Sequence, residues 1–353
     1  MSAPVPGTTA TPRDLGFRMP AEWERHDATW LTWPRPEGIS FPDAFDDIPA
    51  LWAGLAKLLA EGEHVNINVF SPEHETGVRA ALQKAGAPVD SRIHLRLFPA
   101  YEPWCRDHGP IFIRNERELA VVDWAYNAWG GKYPPCDLDD EVPRHVAALL
   151  GLPLFSPPMI LEGGSIEVNG AGTLLTTEAC LLNKNRNPRL SQKEIEGYLR
   201  DYLGVEQILW LGEGIVGDDT DGHIDDLTRF VSADTLVTIV EDDPADENYV
   251  LLRENSRRLG AMRDLQGRPW RVVDLPTPGR IEREGQRLPA SYANFYIANE
   301  VVVMPAFNHP NDGRARDILQ GLFPTRRVVA WPALDLIWGL GAFHCITQQQ
   351  PAL

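Results

Sequence analysis

Close to the C-terminus, Gly339-Leu340-Gly341-Ala342-Phe343-His344-Cys345-Ile346-Thr347 places a cysteine after a Gly-rich turn and before a strand-like segment. Glycine lets backbone approach a ligand closely or adopt positive φ. A thiol held there can face a cavity and serve as a nucleophile. The competing reading of Cys345 is a packed core thiol, because free cysteine is among the most buried residue types. Upstream, Gly222-His223-Ile224-Asp225 sets an imidazole and a carboxylate two positions apart. On a strand both would point to one face. His223 can then work as general acid and base beside a thiol. The alternative is a turn built on Asp218, Asp219 and Asp221, residues that favour turns. In such acidic company the imidazolium form should be stabilised.

Three further positions belong with these. Asp107 lies in Trp104-Cys105-Arg106-Asp107-His108-Gly109-Pro110, and Glu162 precedes Gly163-Gly164. A Gly-Pro turn and a solvated loop carboxylate are their plain alternatives. Trp104 is either core or an aromatic wall for a cation. Several carboxylates with one thiol and one imidazole suit a flat cation: carboxylates bind guanidinium bidentately. A thiolate attacking the guanidinium carbon displaces ammonia, and water finishes the reaction. A cysteine protease would want an oxyanion hole and little negative charge around the carbonyl.

The elements that must bring these residues together read as a recurring unit. Each has an extended run, a loop, an amphipathic helix and a second extended run. The helices are expected over Asp43–Glu61, Val142–Leu150, Gln192–Leu203, Asn248–Leu259 and Arg314–Leu322. Ser191 and Glu194 form a capping box for the third, and Gly204 suits its C-terminus. Strands are expected over Ala28–Trp33, Val65–Phe70, Glu118–Tyr126, Gly172–Cys180, Val205–Leu211, Thr235–Val240, Trp270–Leu275, Glu300–Pro305 and Arg327–Trp331. Polar segments precede the first strand of the later units. If equivalent edges face one axis, Asp107, Glu162, His223, Asp225 and the Ser291–Asn294 segment meet there, with Cys345 closing the ring. The pattern reads as a propeller-like α/β array or as an ordinary Rossmann-type sheet. No GxGxxG opens a helix, so nucleotide binding loses support.

Composition sets outer bounds. Hydrophobic content of 43% and charged content of 24% are ordinary for a globular protein. A net charge of −17 disfavours nucleic acid and anionic membrane and is compatible with a cationic substrate. The four cysteines, Cys105, Cys136, Cys180 and Cys345, form no framework, which fits a reduced, cytoplasmic setting. Cys105, Cys136 and Cys180 are expected to be core or half-buried thiols, and His344 to point away from the site. Residues 1–14 read as a flexible tail without a signal sequence, and 15–353 as a single catalytic domain.

The blocks Trp104-x-Arg106-Asp107-x-Gly109-Pro110, Glu162-Gly163-Gly164, Asp219-Thr220-Asp221-Gly222-His223-Ile224-Asp225, Pro289-Ala290-Ser291-Tyr292-x-Asn294-Phe295-Tyr296 and His344-Cys345-Ile346-Thr347-Gln348 occur in order along nearly the whole chain. In this the sequence resembles the agmatine deiminases and bacterial-type peptidylarginine deiminases of the guanidino-group-modifying superfamily. The resemblance implies a five-bladed α/β propeller, the pentein fold, of ββαβ units around a central site. It implies a Cys345 nucleophile, a His223 acid and base, and Glu162 orienting His223. Asp107 and Asp225 would hold the guanidinium, Asp219 would approach the distal amine of agmatine, and Trp104 would wall the channel. The product would be N-carbamoylputrescine, with no metal or organic cofactor. Leu340 and Phe343 are bulkier than the Gly-Gly-Gly-Asn-Ile usual before His-Cys, so they could reshape the pocket. Peptidylarginine and free arginine stay open as substrates, and oligomeric state stays open, a homo-oligomer included. Two other classes compete: a metallohydrolase on His223, Asp225, Asp107, His309 and Asp312, and an inactive ring that binds a cation or a protein.

Overall fold

The structure is a computed structural model that describes residues 10–41 and 43–353. It is built from five mixed sheets that share one plan. In four of them the first two strands run antiparallel and the third joins the second in parallel across a helix. The fifth sheet uses both ends of the chain. It orders the C-terminal strand against β1 (His26–Thr32), then β2 (His64–Val69) and β3 (Ile93–Leu97), with α1 (Ile48–Leu59) and α2 (Pro72–Lys84) as crossovers.

The second unit runs α3 (Cys105–His108), β4 (Ile111–Arg114), β5 (Leu119–Val122), α4 (Ala128–Gly131), α5 (Asp137–Asp140), α6 (Val142–Leu150) and β6 (Leu154–Phe155). The third is β7 (Ile166–Val168), β8 (Thr173–Thr177), α7 (Glu178–Leu181), α8 (Gln192–Leu203) and β9 (Gln207–Leu211). The fourth is β10 (Thr228–Ser232), β11 (Thr235–Val240), α9 (Tyr249–Ala261) and β12 (Arg271–Pro276), followed by the hairpin β13 (Glu282–Arg283) and β14 (Gln286–Arg287). The last has β15 (Tyr296–Ile297), β16 (Val301–Ala306), α10 (Asn311–Leu322) and β17 (Arg327–Pro332), and the chain ends on β18 (Thr347–Pro351).

Local chemistry explains the helices. In α1, Ile48, Trp52, Leu55, Ala56 and Leu59 recur at helical spacing and all are buried. Ile48, Leu55 and Leu59 each contribute about 1.5–3 kcal/mol on burial. In α8, Ile195, Leu199 and Leu203 make the buried stripe; the Ser191–Glu194 capping box starts the helix and Gly204, at φ 65°, ends it. All five expected helices are present; Val142–Leu150 and Gln192–Leu203 keep the expected bounds and the other three are shifted at their ends. The expected strand over 172–180 stops at Thr177, and residues 178–181 turn into α7, capped by the Thr177 hydroxyl. Cys180 therefore sits on a helical turn.

β18 pairs antiparallel with β1, from His26 opposite Pro351 to Leu31 opposite Thr347. The two chain ends are thus locked in one sheet, and the cysteine-bearing segment enters it directly. Of the expected tail, residues 1–9 lie outside the described residues. Residues 13–15 form a 3-10 turn, with Asp14 accepting hydrogen bonds from the Thr11 backbone N–H and hydroxyl. Among the described residues, no helix is long and apolar enough to cross a membrane.

Candidate active site

The segments that enter the first strand of each unit supply the site. They are α3 before β4, the turn at Gly163–Ser165 before β7, the turn at Ile224–Asp226 before β10, Ser291–Asn294 before β15, and Ala342–Cys345 before β18. Each touches the next. The Gly164 N–H donates to Asp107 Oδ1 at 3.0 Å. Glu162 Oε2 lies 4.0 Å from His223 Nε2. Asn294 Nδ2 donates to Asp226 Oδ1 at 2.9 Å and to Cys345 Sγ at 3.1 Å. The Arg106 N–H donates to the Cys345 carbonyl at 3.0 Å, returning to α3.

Two glycines set this geometry. A Cβ on Gly164 would stand 2.6 Å from His223 Nδ1, 2.8 Å from Asp107 Oδ1 and 3.0 Å from Asp225 Oδ2. The imidazole and both carboxylates therefore converge on one point that only glycine leaves free. A Cβ on Gly341 would stand 2.4 Å from Trp104 Cζ3, so the turn before Cys345 lies directly on the indole.

Cys345 lines a cavity of about 260 Å³ together with Trp104, Asp107, Trp129, Tyr133 and Asp219. Its thiol lies 3.8 Å from Asp225 Oδ2. Burial pushes the thiol well above the usual cysteine range, and Asp225, Asp226 and Asp107 push it further. Asp107 is raised to about 7, chiefly by burial; Trp129 Nε1, donating at 2.9 Å, opposes the rise and Glu162 adds to it. Asp225 is raised by burial and then by Asp107. One of its oxygens meets His344 Nδ1 at 2.7 Å, while the other has no protein hydrogen-bond partner. Glu162 is raised by burial against the pull of Arg186, whose Nε donates to Oε1 at 2.7 Å.

His223 and Asp225 do converge, but through a 3-10 turn and not along a strand. Asp218 fixes the entry to that turn by accepting from the N–H groups of Gly222 and His223 at 3.0 and 3.1 Å. The expectation that acidic neighbours would favour the imidazolium fails. His223 is wholly buried, and burial followed by the Arg186 guanidinium holds its pKa well below the usual value. Its nearest carboxylate oxygens, on Asp107 and Glu162, stand at 3.7 and 4.0 Å, too far for hydrogen bonds.

Asp219 lines the same cavity nearer solvent, with side-chain exposure of 35% against 3% for Asp107. It accepts from the Tyr133 hydroxyl and faces Lys132 Nζ at 3.4 Å. Trp104 forms the opposing wall, its Nε1 donating to Ser40 Oγ at 2.9 Å. Of the two bulky departures, Leu340 lines the cavity whereas Phe343 is wholly buried in the core, so only the first shapes the wall.

His344, expected to be structural and to point away from the site, is set off the cavity lining and bridges Asp225 and Glu22, at 2.7 and 2.8 Å. Trp129 and Arg186 were missed as site residues. Asn294 lies in a segment already singled out as polar. Trp129 gave a signal only in its neighbours: Ala128, Trp129, Gly130 and Gly131 all take positive φ, and two following glycines are what such a run needs. Of the metallohydrolase ligands, His309 and Asp312 are bound to each other's segment in the last unit, Asp312 Oδ2 accepting from the His309 N–H at 3.1 Å. Among the described residues, the grouping with metal-ligand spacing is Glu162, Cys180 and His223, which shares only His223 with that expected set.

The arrangement pairs a thiol with a donor amide, an imidazole and buried carboxylates at the end of an aromatic-walled cavity. Known proteins match it over the full chain. Agmatine deiminases of Ectopseudomonas mendocina and Pseudomonas aeruginosa are 41% and 40% identical, each alignment covering 98% of both chains. The structure of the agmatine deiminase of Enterococcus faecalis superimposes with a TM-score of 0.91 at 33% identity, covering 99% of each chain. The profile of one family runs from residue 18 to residue 351, spanning every segment that builds the site: this chain belongs to the Porphyromonas-type peptidyl-arginine deiminases.

Proposed function

We propose that the protein hydrolyses the guanidino group of agmatine to N-carbamoylputrescine and ammonia. The observation that carries this reading is the cavity itself. Cys345 and Asp107 line it, the Asp225 carboxylate stands against the Cys345 thiol, indoles of Trp104 and Trp129 wall it, and the more exposed Asp219 lies nearer solvent. A flat cation with a second cation at the far end of a short chain matches that order of charges. Relatives that match the whole chain include agmatine deiminases.

The steps follow from the electrostatics. In the free protein the thiol holds its proton, because burial and three carboxylates oppose a thiolate. A guanidinium bound by Asp107 and Asp225 offsets that charge and favours thiolate formation. The proton passes to His223, which is neutral at rest. The sulfur attacks the guanidinium carbon, Asn294 donating to it through Nδ2. His223 returns the proton to the leaving nitrogen, ammonia departs and a thiouronium remains. Water, deprotonated by His223, adds to the same carbon and expels the thiolate. Glu162, anchored by Arg186 and 4.0 Å from His223 Nε2, is placed to steady the imidazolium once it forms.

Agmatine is preferred over free arginine because an α-carboxylate would meet Asp219 and Glu102, both of which line the cavity. Ammonia release from agmatine, arginine, peptidylarginine and methylated arginines tests the assignment. Agmatine is expected to give the highest kcat/KM, without added metal. A higher kcat/KM for arginine or peptidylarginine would refute the choice of substrate.

A further inference from the structure

Behind the cavity wall, three metal-ligating groups, a thiol, an imidazole and a carboxylate, face one another. One ligand atom each from Glu162, Cys180 and His223 lie within 4.8 Å of one another, and all three residues are buried. Their hydrogen bonding is incomplete: Glu162 Oε2 and both ring nitrogens of His223 are buried without a protein partner. Buried polar groups are normally satisfied, so orphans converging on a thiol mark a place built to receive something. The Glu162 and His223 orphans stand too far apart to satisfy each other, at 4.0 Å.

We propose that Glu162, Cys180 and His223 form a binding site for one thiophilic divalent cation, of the zinc or cadmium class, and that its occupation inhibits the enzyme. Thiolate, imidazole and carboxylate are the donor set zinc selects. A shift of about 1 Å in each side chain brings the three atoms to bonding distances of about 2.0–2.3 Å. On binding, the hydrated ion sheds water and the Cys180 thiol releases its proton to solvent. The sulfur, a carboxylate oxygen and a ring nitrogen then bind the metal. Asp107 and Asp221, close by, favour a dication, while Arg186 opposes it. A surface groove lined by Asp218, Asp221 and by Ala179 and Gly222, the sequence neighbours of Cys180 and His223, offers a carboxylate-bearing approach separate from the substrate cavity.

Inhibition follows from the proposed chemistry and rests on that reading of His223. A ring nitrogen bonded to metal cannot take up a proton, and Glu162 is drawn away from steadying the imidazolium. Because the ligands are wholly buried, onset should be slow compared with turnover.

Cadmium titration of the full chain tests the site, read by the ultraviolet thiolate-to-cadmium charge-transfer band and by ammonia release from agmatine. The Cys345→Ala protein, which keeps the trio, is expected to show a band of single-thiolate intensity. Cys180→Ser and Cys180→Ala should lose that band, keep metal-free turnover within about twofold, and raise the half-inhibiting cadmium or zinc concentration about tenfold or more. A band that survives in both Cys180 variants, or that disappears in Cys345→Ala, overturns the site. A Cys180-dependent band with turnover unchanged or raised by metal overturns the inhibition. Full metal-free turnover in His223→Asn would instead sink the base assignment, which separates the two failures.

Discussion

At the scale of single residues, the site depends on charges that burial would neutralise without their partners. Arg186 is the sharpest case. Its side chain is wholly buried between Glu162 and Asp221, at 2.7 and 2.5 Å. Arg186→Met leaves Glu162 as an uncompensated buried acid. Urea unfolding is expected to show a loss of about 3–5 kcal/mol, and agmatine turnover should collapse in the folded fraction. Asp107 gives a second test. Its pKa in the free protein is raised to about 7, and a bound cation must lower it. Binding therefore expels a proton below that pH, and affinity weakens as pH falls through about 7. Calorimetry of agmatine on Cys345→Ala, in buffers of differing ionisation enthalpy, should detect proton release near pH 6 that diminishes as pH rises through about 7. Cys345, His223, Glu162, Asp107, Asp219 and Trp104 were legible because each sits in a short polar or Gly-bounded motif. Trp129 and Arg186 were not, because the contacts that bring Trp129 to Asp107 and Arg186 to Glu162 join segments distant in sequence. The imidazolium expectation failed because acidic neighbours in sequence say nothing about burial or about a guanidinium from another unit.

At the scale of elements, short turns position the chemistry and longer helices hold the sheets. Gly341→Ala illustrates the first. The added methyl meets the Trp104 ring at 2.4 Å, so the turn before Cys345 or the indole must move. A stability loss of about 1–3 kcal/mol in thermal or urea unfolding is expected, with a rise in KM for agmatine as the wall shifts. Long helices were readable because strands and loops rarely place apolar residues at every third or fourth position, as α1 and α8 do along their buried faces. The helix α2 escaped notice despite its Ser71 cap and Pro72, because only Val78 and Leu82 are buried along it. β3 escaped for the same reason: Ile93 alone is fully covered. The segment from His223 to Asp225 was misread as extended, since a two-residue spacing suits a strand and a 3-10 corner alike.

At the scale of the whole molecule, the five repeated corners need the sheet that unites the chain ends. β18 carries Gln348, Gln349 and Gln350, which bond to the Pro110 carbonyl, Arg106 Nη1 and Trp30 Nε1 at 2.8, 2.7 and 3.0 Å. Truncation after Ile346 removes that strand and leaves β1 with an open edge beside the thiol. Loss of a single cooperative unfolding transition is expected, even though every proposed catalytic residue is retained. The repeat itself was visible in sequence as strand, helix, strand. Its first strand pair entered only through the family resemblance, because strands as short as β15, with two residues, carry no alternation to read.

The central claim is that Cys345 bonds to the guanidinium carbon during turnover and that His223 drives release. Acid-quenched turnover of agmatine, followed by intact-mass and peptide mass spectrometry, addresses it directly. The account predicts an adduct of agmatine less ammonia on the peptide containing Cys345, formed far more slowly in His223→Asn. Turnover without any adduct, or an adduct carried on Cys105, Cys136 or Cys180, would contradict it.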